Sequence, residues 1–168
     1  MKTVVISGGT DGIGREIART RLSRGDNVVV IGRNAEKGKA LTEAAGESGA
    51  GARVFFVAAD LSLVRENRRV VEEIAERFPV VDALVLCARH YRARRRETAE
   101  GFEDNFALFY LSRFLLGHGL AGSLERAERP VIMNVAGPGA DLSMVHWDDL
   151  QLRRGYDGGT ALTQGGKL

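Results

Sequence analysis

Short apolar runs alternate along the chain with longer segments in which apolar residues recur every three or four positions. The runs are rich in valine, as is typical of buried parallel strands: TVVIS, NVVVIG, RVFFVAA, DALVLC and PVIMNV. The intervening segments, at residues 13–24, 35–46, 64–77 and 101–124, have the period of amphipathic helices. The pattern therefore predicts strands that are joined by crossover helices.

This alternation predicts an α/β fold with a Rossmann-like, doubly wound parallel sheet of about five strands. Because crossover connections between parallel strands are right-handed, the expected strand order is 3-2-1-4-5. The same topology predicts a ligand crevice between the carboxyl ends of the first and fourth strands. With 168 residues and 44% hydrophobic content, the chain is expected to form one dinucleotide-binding domain over residues 1–168.

A glycine-rich loop, SGGTDGIGREIA, follows the first predicted strand and opens the first predicted helix. Its glycines permit a sharp turn, close approach of a pyrophosphate and tight seating of the helix. Such a loop is a weak signal by itself, but its place between strand and helix favours a dinucleotide site. The expected cofactor-binding residues of the loop are Gly8, Thr10, Asp11, Gly12, Ile13 and Gly14.

Basic residues predict NADP(H) rather than NAD(H) as the cofactor. Proteins that prefer NAD usually have Asp or Glu at the end of the second strand, where this sequence has Arg33 followed by Asn34. Arg15, at the start of the first helix, is expected to add attraction for a 2′-phosphate. The alternative is that both arginines are ordinary solvated surface charges.

Composition narrows the function classes further. A formal net charge of +2 gives no electrostatic case for nucleic-acid binding. The arginine-rich run at residues 89–96 is interpreted as a solvated loop, with an anionic ligand as the alternative. The single cysteine, Cys87, and the lack of a signal-peptide pattern or an apolar run of membrane-spanning length predict a cytoplasmic protein. The three histidines are scattered, so no metal site is expected.

With these motifs the sequence resembles the short-chain dehydrogenase/reductase family, and the likeness runs from Lys2 to Leu168. The glycine spacing, AADLS, GFEDNFALFYLSRFLL and WDDLQLRRGY carry the resemblance. It implies that Asp60 and Leu61 hold the adenine ring. The family's Asn-Asn-Ala-Gly turn after the fourth strand corresponds to LCAR, so Ala88 matches and Arg89 replaces the glycine.

The resemblance also places the family's catalytic Asn-Ser-Tyr-Lys tetrad, of which only the lysine is kept, as Lys167. Thr163 stands at the tyrosine position, Gly137 at the serine position and Phe109 at the asparagine position. An aliphatic hydroxyl is far less acidic than a phenol, and neither glycine nor phenylalanine offers a side-chain hydrogen bond. Hydride transfer by the family's standard mechanism is therefore not expected.

The resemblance implies an atypical, NADP(H)-binding oxidoreductase, or a protein of a non-redox biosynthetic step, acting on a small-molecule carbonyl or polyketide-like substrate. The alternative is a non-catalytic nucleotide-binding subunit that stabilises or regulates a partner enzyme. Because family members continue past this point, the chain is expected to be C-terminally truncated, leaving PVIMNV as an open apolar edge. A homo-oligomer, or a partner chain that covers strand 5, is expected for the same reason.

Overall fold

The structure, a computed structural model, describes residues 1–137 and 141–168. It contains one sheet of five parallel strands in the order β3-β2-β1-β4-β5, which confirms the predicted fold class and strand order. The strands are β1 (Thr3–Ser7), β2 (Asn27–Gly32), β3 (Val54–Ala58), β4 (Ala83–Leu86) and β5 (Val131–Asn134).

Helices cover both faces of the sheet. They are α1 (Gly12–Ser23), α2 (Ala35–Glu47), α3 (Val64–Arg77), α4 (Asp104–Phe106), α5 (Ser112–Gly119), α6 (Ala121–Leu124) and α7 (Gly158–Gly165). One apolar core lies between the sheet and α1 and α2, and the other lies between the sheet and α3 and α5. The strands of the sheet centre are apolar on both faces because both faces are covered.

The segment predicted as one helix over 101–124 is in fact divided. It begins at α4, continues through a π-helical turn at Ala107–Leu111 into α5, and is interrupted again before α6. The side chain of Glu103 caps α4 by accepting hydrogen bonds from the backbone N–H groups of Asn105 and Phe106, at 2.9 and 2.7 Å. Apolar periodicity alone does not distinguish a continuous α-helix from one that contains a π turn.

The outer strand β5 is the least covered part of the sheet. Its apolar residues Val131, Ile132 and Met133 are each about half exposed, at 48%, 51% and 48%. On α5 the ring of Phe114 is exposed to a similar extent, 50%. The prediction that this edge is apolar and open is therefore met by the residues that the structure describes.

Candidate functional site

The glycine loop between β1 and α1 is packed so closely that side chains do not fit. A Cβ atom at Gly14 would lie 2.4 Å from the carbonyl oxygen of Gly8, and one at Gly8 would lie 2.7 Å from the backbone of Ala88. Gly8 and Gly12 also have positive φ angles, +70° and +47°. A Cβ atom at Gly12 would meet nothing within 4 Å, so this part of the loop borders open space. The loop therefore forms a cradle of the kind that a diphosphate needs.

A crevice of about 450 Å³ opens between this loop and the carboxyl ends of the central strands. Most of the residues predicted to bind the cofactor line it: Gly8, Thr10, Asp11, Gly12, Ile13, Gly14, Arg33, Asn34, Leu61 and Ala88. Residues that the sequence did not single out for this site also line it, among them Lys37, Cys87, Arg89, Leu108 and Val135. Lys37 could have been found by its position, one helical turn after Asn34 at the start of α2.

Charged and capping side chains surround the end of the crevice near β2. Asn34 is the N-cap of α2, and its side-chain oxygen accepts a hydrogen bond from the N–H of Lys37 at 2.9 Å. The ammonium group of Lys37 forms an ion pair with Asp11, which lowers the pKa of that carboxyl group. Arg33 and Lys37 thus bring two cations to this end of the crevice, and Asp11 brings one anion.

Two of the predicted cofactor residues lie outside the crevice lining. Arg15 lines a groove between α1 and α2, and its Nε lies 3.4 Å from the carboxylate of Glu16. The carboxylate of Asp60 accepts hydrogen bonds from the backbone N–H and the hydroxyl of Ser62, at 3.1 and 2.8 Å. The structure therefore assigns these side chains local contacts, while the neighbouring Leu61 does reach the crevice.

The four positions predicted for the catalytic tetrad line one small cavity of about 190 Å³. Phe109, Gly137, Thr163 and Lys167 all line it, together with Arg89, Leu162 and Gly166. These residues come from three separate segments of the chain, because Thr163 and Lys167 both belong to the C-terminal segment. Within the lining, Thr163 offers an aliphatic hydroxyl at the predicted tyrosine position, and Gly137 offers no side chain.

Phe109, at the predicted asparagine position, has a buried ring. It lies in the π-helical turn and is only 3% exposed. The guanidinium group of Arg113 lies over this ring, 4.4 Å from its centroid, and donates a hydrogen bond to the carbonyl oxygen of Val135 at 2.9 Å. A π turn often marks a functional site. Here the turn carries the Phe109 ring, and Arg113 follows it in α5.

Tyr156, the nearest tyrosine before Thr163 in the sequence, is used elsewhere. Its hydroxyl donates a hydrogen bond to the carbonyl oxygen of Arg92 and accepts one from the amide of Asn105, both at 3.0 Å. Burial raises the pKa of Tyr156 above its ordinary value. These contacts tie the loop before α7 to α4, and they leave the small cavity without a phenolic acid from this residue.

Other reactive side chains near the site have structural surroundings. Burial raises the pKa of the Cys87 thiol, so the thiolate is disfavoured. In the arginine-rich run, Arg92 pairs with Asp104 and Arg95 pairs with Glu97, each at 2.7 Å, so part of the run is tied down rather than freely solvated. Within residues 1–137 and 141–168, no group of three or more His, Cys, Asp or Glu side chains is placed to hold a metal ion. No helix of these residues is both long and apolar enough to cross a membrane.

Comparison with known proteins identifies relatives of the whole chain. It is 32% identical over 170 residues to a polyprenol dehydrogenase of Danio rerio, covering 97% of this chain and 52% of the relative. It is 30% identical over 166 residues to retinol dehydrogenase 13 of Mus musculus, covering 97% of this chain and 49% of that relative. The chain therefore spans about half the length of the curated relatives it matches.

Solved structures share the fold. A metagenomic short-chain oxidoreductase in complex with NADP superimposes with a TM-score of 0.78 at 21% identity, covering 99% of this chain and 70% of that chain. A protein from Mycobacterium paratuberculosis superimposes with a TM-score of 0.79 at 23% identity, covering 99% and 57%. The sequence profile of the short chain dehydrogenases matches residues 2–148. This match covers most of the chain and shows that it belongs to the short-chain dehydrogenase family.

Proposed function

We propose that this protein binds NADP(H) in the crevice at the carboxyl ends of β1, β2 and β4. The observation that carries the proposal is the glycine cradle, in which the contacts of Gly8 and Gly14 exclude side chains while Gly12 borders open space. The backbone around Gly12 and the N-terminus of α1 would hold the diphosphate, and Leu61 would contact the adenine. NADP(H), when bound, supplies or accepts a hydride.

The preference for the phosphorylated nucleotide rests on Arg33 and Lys37, which line the same end of the crevice. The planar guanidinium of Arg33 would form charge-assisted hydrogen bonds to a 2′-phosphate. Lys37 would add a second positive charge if its ammonium group left Asp11 and paired with the phosphate instead. Among the relatives by fold, the metagenomic oxidoreductase is itself in complex with NADP, which agrees with this assignment.

The chemistry proposed for the small cavity is an altered reduction of a small-molecule carbonyl, or a non-redox step on such a substrate. Lys167 provides positive charge near the nicotinamide end, but Thr163 does not replace the family's proton donor. Loss of general acid catalysis typically costs about 10²–10⁴ in rate, so positioning still leaves room for slow hydride transfer. The chain's own residues would orient the substrate and exclude water.

The test of the cofactor assignment is a pair of titrations with NADPH and NADH. Charge-assisted hydrogen bonds contribute roughly 1.5–3 kcal/mol, so Arg33→Ala should weaken NADPH binding about ten- to a hundred-fold and leave NADH nearly unchanged. Lys37→Ala should act in the same direction, more weakly. Arg15→Ala is the matched control, because that side chain lies outside the crevice lining. A higher salt concentration should reduce the difference between NADPH and NADH affinity. Equal affinities for the two nucleotides in the wild type would refute the NADP(H) assignment.

A second function, a non-catalytic nucleotide-binding subunit, is favoured by the open apolar edge of the sheet. The half-exposed residues of β5 and the ring of Phe114 form a surface that a second copy of the chain, or a partner enzyme, would cover. This function predicts NADPH binding with no turnover of any carbonyl, together with a stable complex. Detectable turnover by the isolated protein would count against it.

A further inference from the structure

Arg89 occupies a position shared by the two cavities of the site. It lines the nucleotide crevice and also the small cavity that contains the tetrad positions. It follows Cys87 and Ala88 directly after β4, at the place where the family's turn has glycine. A long cationic side chain therefore stands where the expected nicotinamide end of the crevice meets the expected substrate cavity.

A second guanidinium group lies near the same aromatic ring as Arg89. The guanidinium of Arg89 is 6.0 Å from the centroid of the Phe109 ring, and that of Arg113 is 4.4 Å from the same centroid. Burial lowers the pKa of Arg113, and the positive charge of Arg89 lowers it further. Arg113 donates one hydrogen bond to Val135, but its Nε has no hydrogen-bond partner among the described residues.

The described residues supply little negative charge to offset these cations. No carboxylate lines the small cavity, and neither arginine forms an ion pair with Asp or Glu in residues 1–137 and 141–168. Lys167 is the second cation of the cavity lining, beside Arg89. Arg89 is exposed to solvent, so its guanidinium is accessible to an anion that enters the cavity.

We propose that Arg89 is a specificity-determining residue that binds the carboxylate of a small oxo acid in the cavity beside Phe109. The planar guanidinium matches a carboxylate with two parallel hydrogen bonds. The cavity volume of about 190 Å³ is below the ~300–1,000 Å³ of drug-sized ligand sites, so a short oxo acid suits it. The inference rests on the proposed function, because it places the acid's carbonyl group beside NADP(H).

The test compares short oxo acids with their own methyl esters on the NADPH-loaded protein. The NADPH-loaded protein would be titrated with 4-oxopentanoate and with methyl 4-oxopentanoate, and then with the four- and six-carbon homologues of this pair. Binding would be followed by changes in the NMR chemical shifts of the protein. The wild type should bind at least one acid about ten-fold or more tightly than its ester. Arg89→Gln should abolish the difference, and Arg89→Lys should retain part of it. Arg94→Gln, an exposed arginine of the same loop, is the matched control and should change nothing.

Titrating the same variants with NADPH separates two roles of Arg89: binding the carboxylate of an oxo acid, or binding the cofactor. If Arg89→Gln weakens NADPH and leaves the acid preference intact, Arg89 serves the cofactor's diphosphate and the proposal is overturned. Equal binding of acid and ester, or binding of neither, also overturns it. If NADPH does not bind at all, the proposed function fails, and the same titrations without nucleotide decide the role of Arg89: an acid preference lost in Arg89→Gln supports it, and no preference overturns it.

Discussion

At the residue scale, the four positions predicted to correspond to the catalytic tetrad lie together, but three of them have unexpected side chains. Phe109, Gly137, Thr163 and Lys167 come together in one cavity, although only the lysine matches the family pattern. The sequence predicted these positions through the order of its motifs. It could not predict Arg113 over the Phe109 ring or the Lys37–Asp11 pair, because both depend on how separate elements pack in three dimensions.

Restoring the two missing hydroxyl groups should recover little activity. In the double variant Thr163→Tyr with Gly137→Ser, Phe109 still occupies the asparagine position and offers no hydrogen bond for a proton relay. Carbonyl reduction with NADPH, measured by nucleotide absorbance, should therefore stay within about ten-fold of the wild type. The triple variant that adds Phe109→Asn is the comparison. A large gain in the double variant alone would show that only two side chains were missing.

Removing the charge of Asp11 should strengthen NADPH binding. The carboxylate of Asp11 accepts a hydrogen bond from the backbone N–H of Gly12 at 2.8 Å and also pairs with Lys37. Asp11 therefore engages the Gly12 N–H, which would otherwise be available to the diphosphate. It also neutralises the charge of Lys37 at the end of the crevice expected to hold the 2′-phosphate. Asp11→Asn keeps the helix cap and removes the charge, so NADPH affinity should rise several-fold and NADH affinity less. Calorimetry checks this, and an unchanged or lower NADPH affinity would contradict it.

At the element scale, the strands and helices were predicted well where the apolar periodicity was long and simple. The predicted strands 27–32 and helices 64–77 agree with β2 and α3. The segment 101–124 was the exception, because a π turn keeps an apolar stripe and differs only in backbone hydrogen bonding. That turn packs against α7, since a Cβ atom at Gly165 would lie 2.9 Å from the Cβ of Phe109.

This contact predicts opposite effects of the same substitution at two helical glycines. Gly165→Ala would force α7 away from the turn that carries Phe109, and overpacking of this kind typically costs ~1–3 kcal/mol. Gly117→Ala lies in α5, where an added Cβ would meet nothing within 4 Å, and should stabilise the fold by ~0.5–1 kcal/mol. Urea denaturation measures both. Stabilisation by Gly165→Ala would show that α7 is not held tightly against the turn.

At the scale of the whole molecule, the parallel sheet explains why so much of the architecture could be predicted. Strands buried on both faces leave continuous apolar runs, and right-handed crossovers then leave few possible orders. The site follows from the same rule, because a crevice forms at the carboxyl ends of the central strands. Specific chemistry does not follow from the fold, and it depends here on single side chains such as Arg89 that replace the expected residues.

The open edge of the sheet leads to a prediction about assembly. Val131, Ile132 and Met133 of β5 and Phe114 of α5 are about half exposed, and an unpaired apolar strand edge favours association. The purified protein should therefore be a homo-oligomer at micromolar concentration by light scattering.

Ile132→Lys combined with Phe114→Glu should shift the protein toward the 18.2 kDa monomer while its circular dichroism spectrum stays unchanged. Val80→Lys, at a 39% exposed position in the loop before β4, is the control and should leave the oligomer intact. A stable 18.2 kDa species in the wild type would contradict the prediction, because mass action at that concentration should maintain the complex.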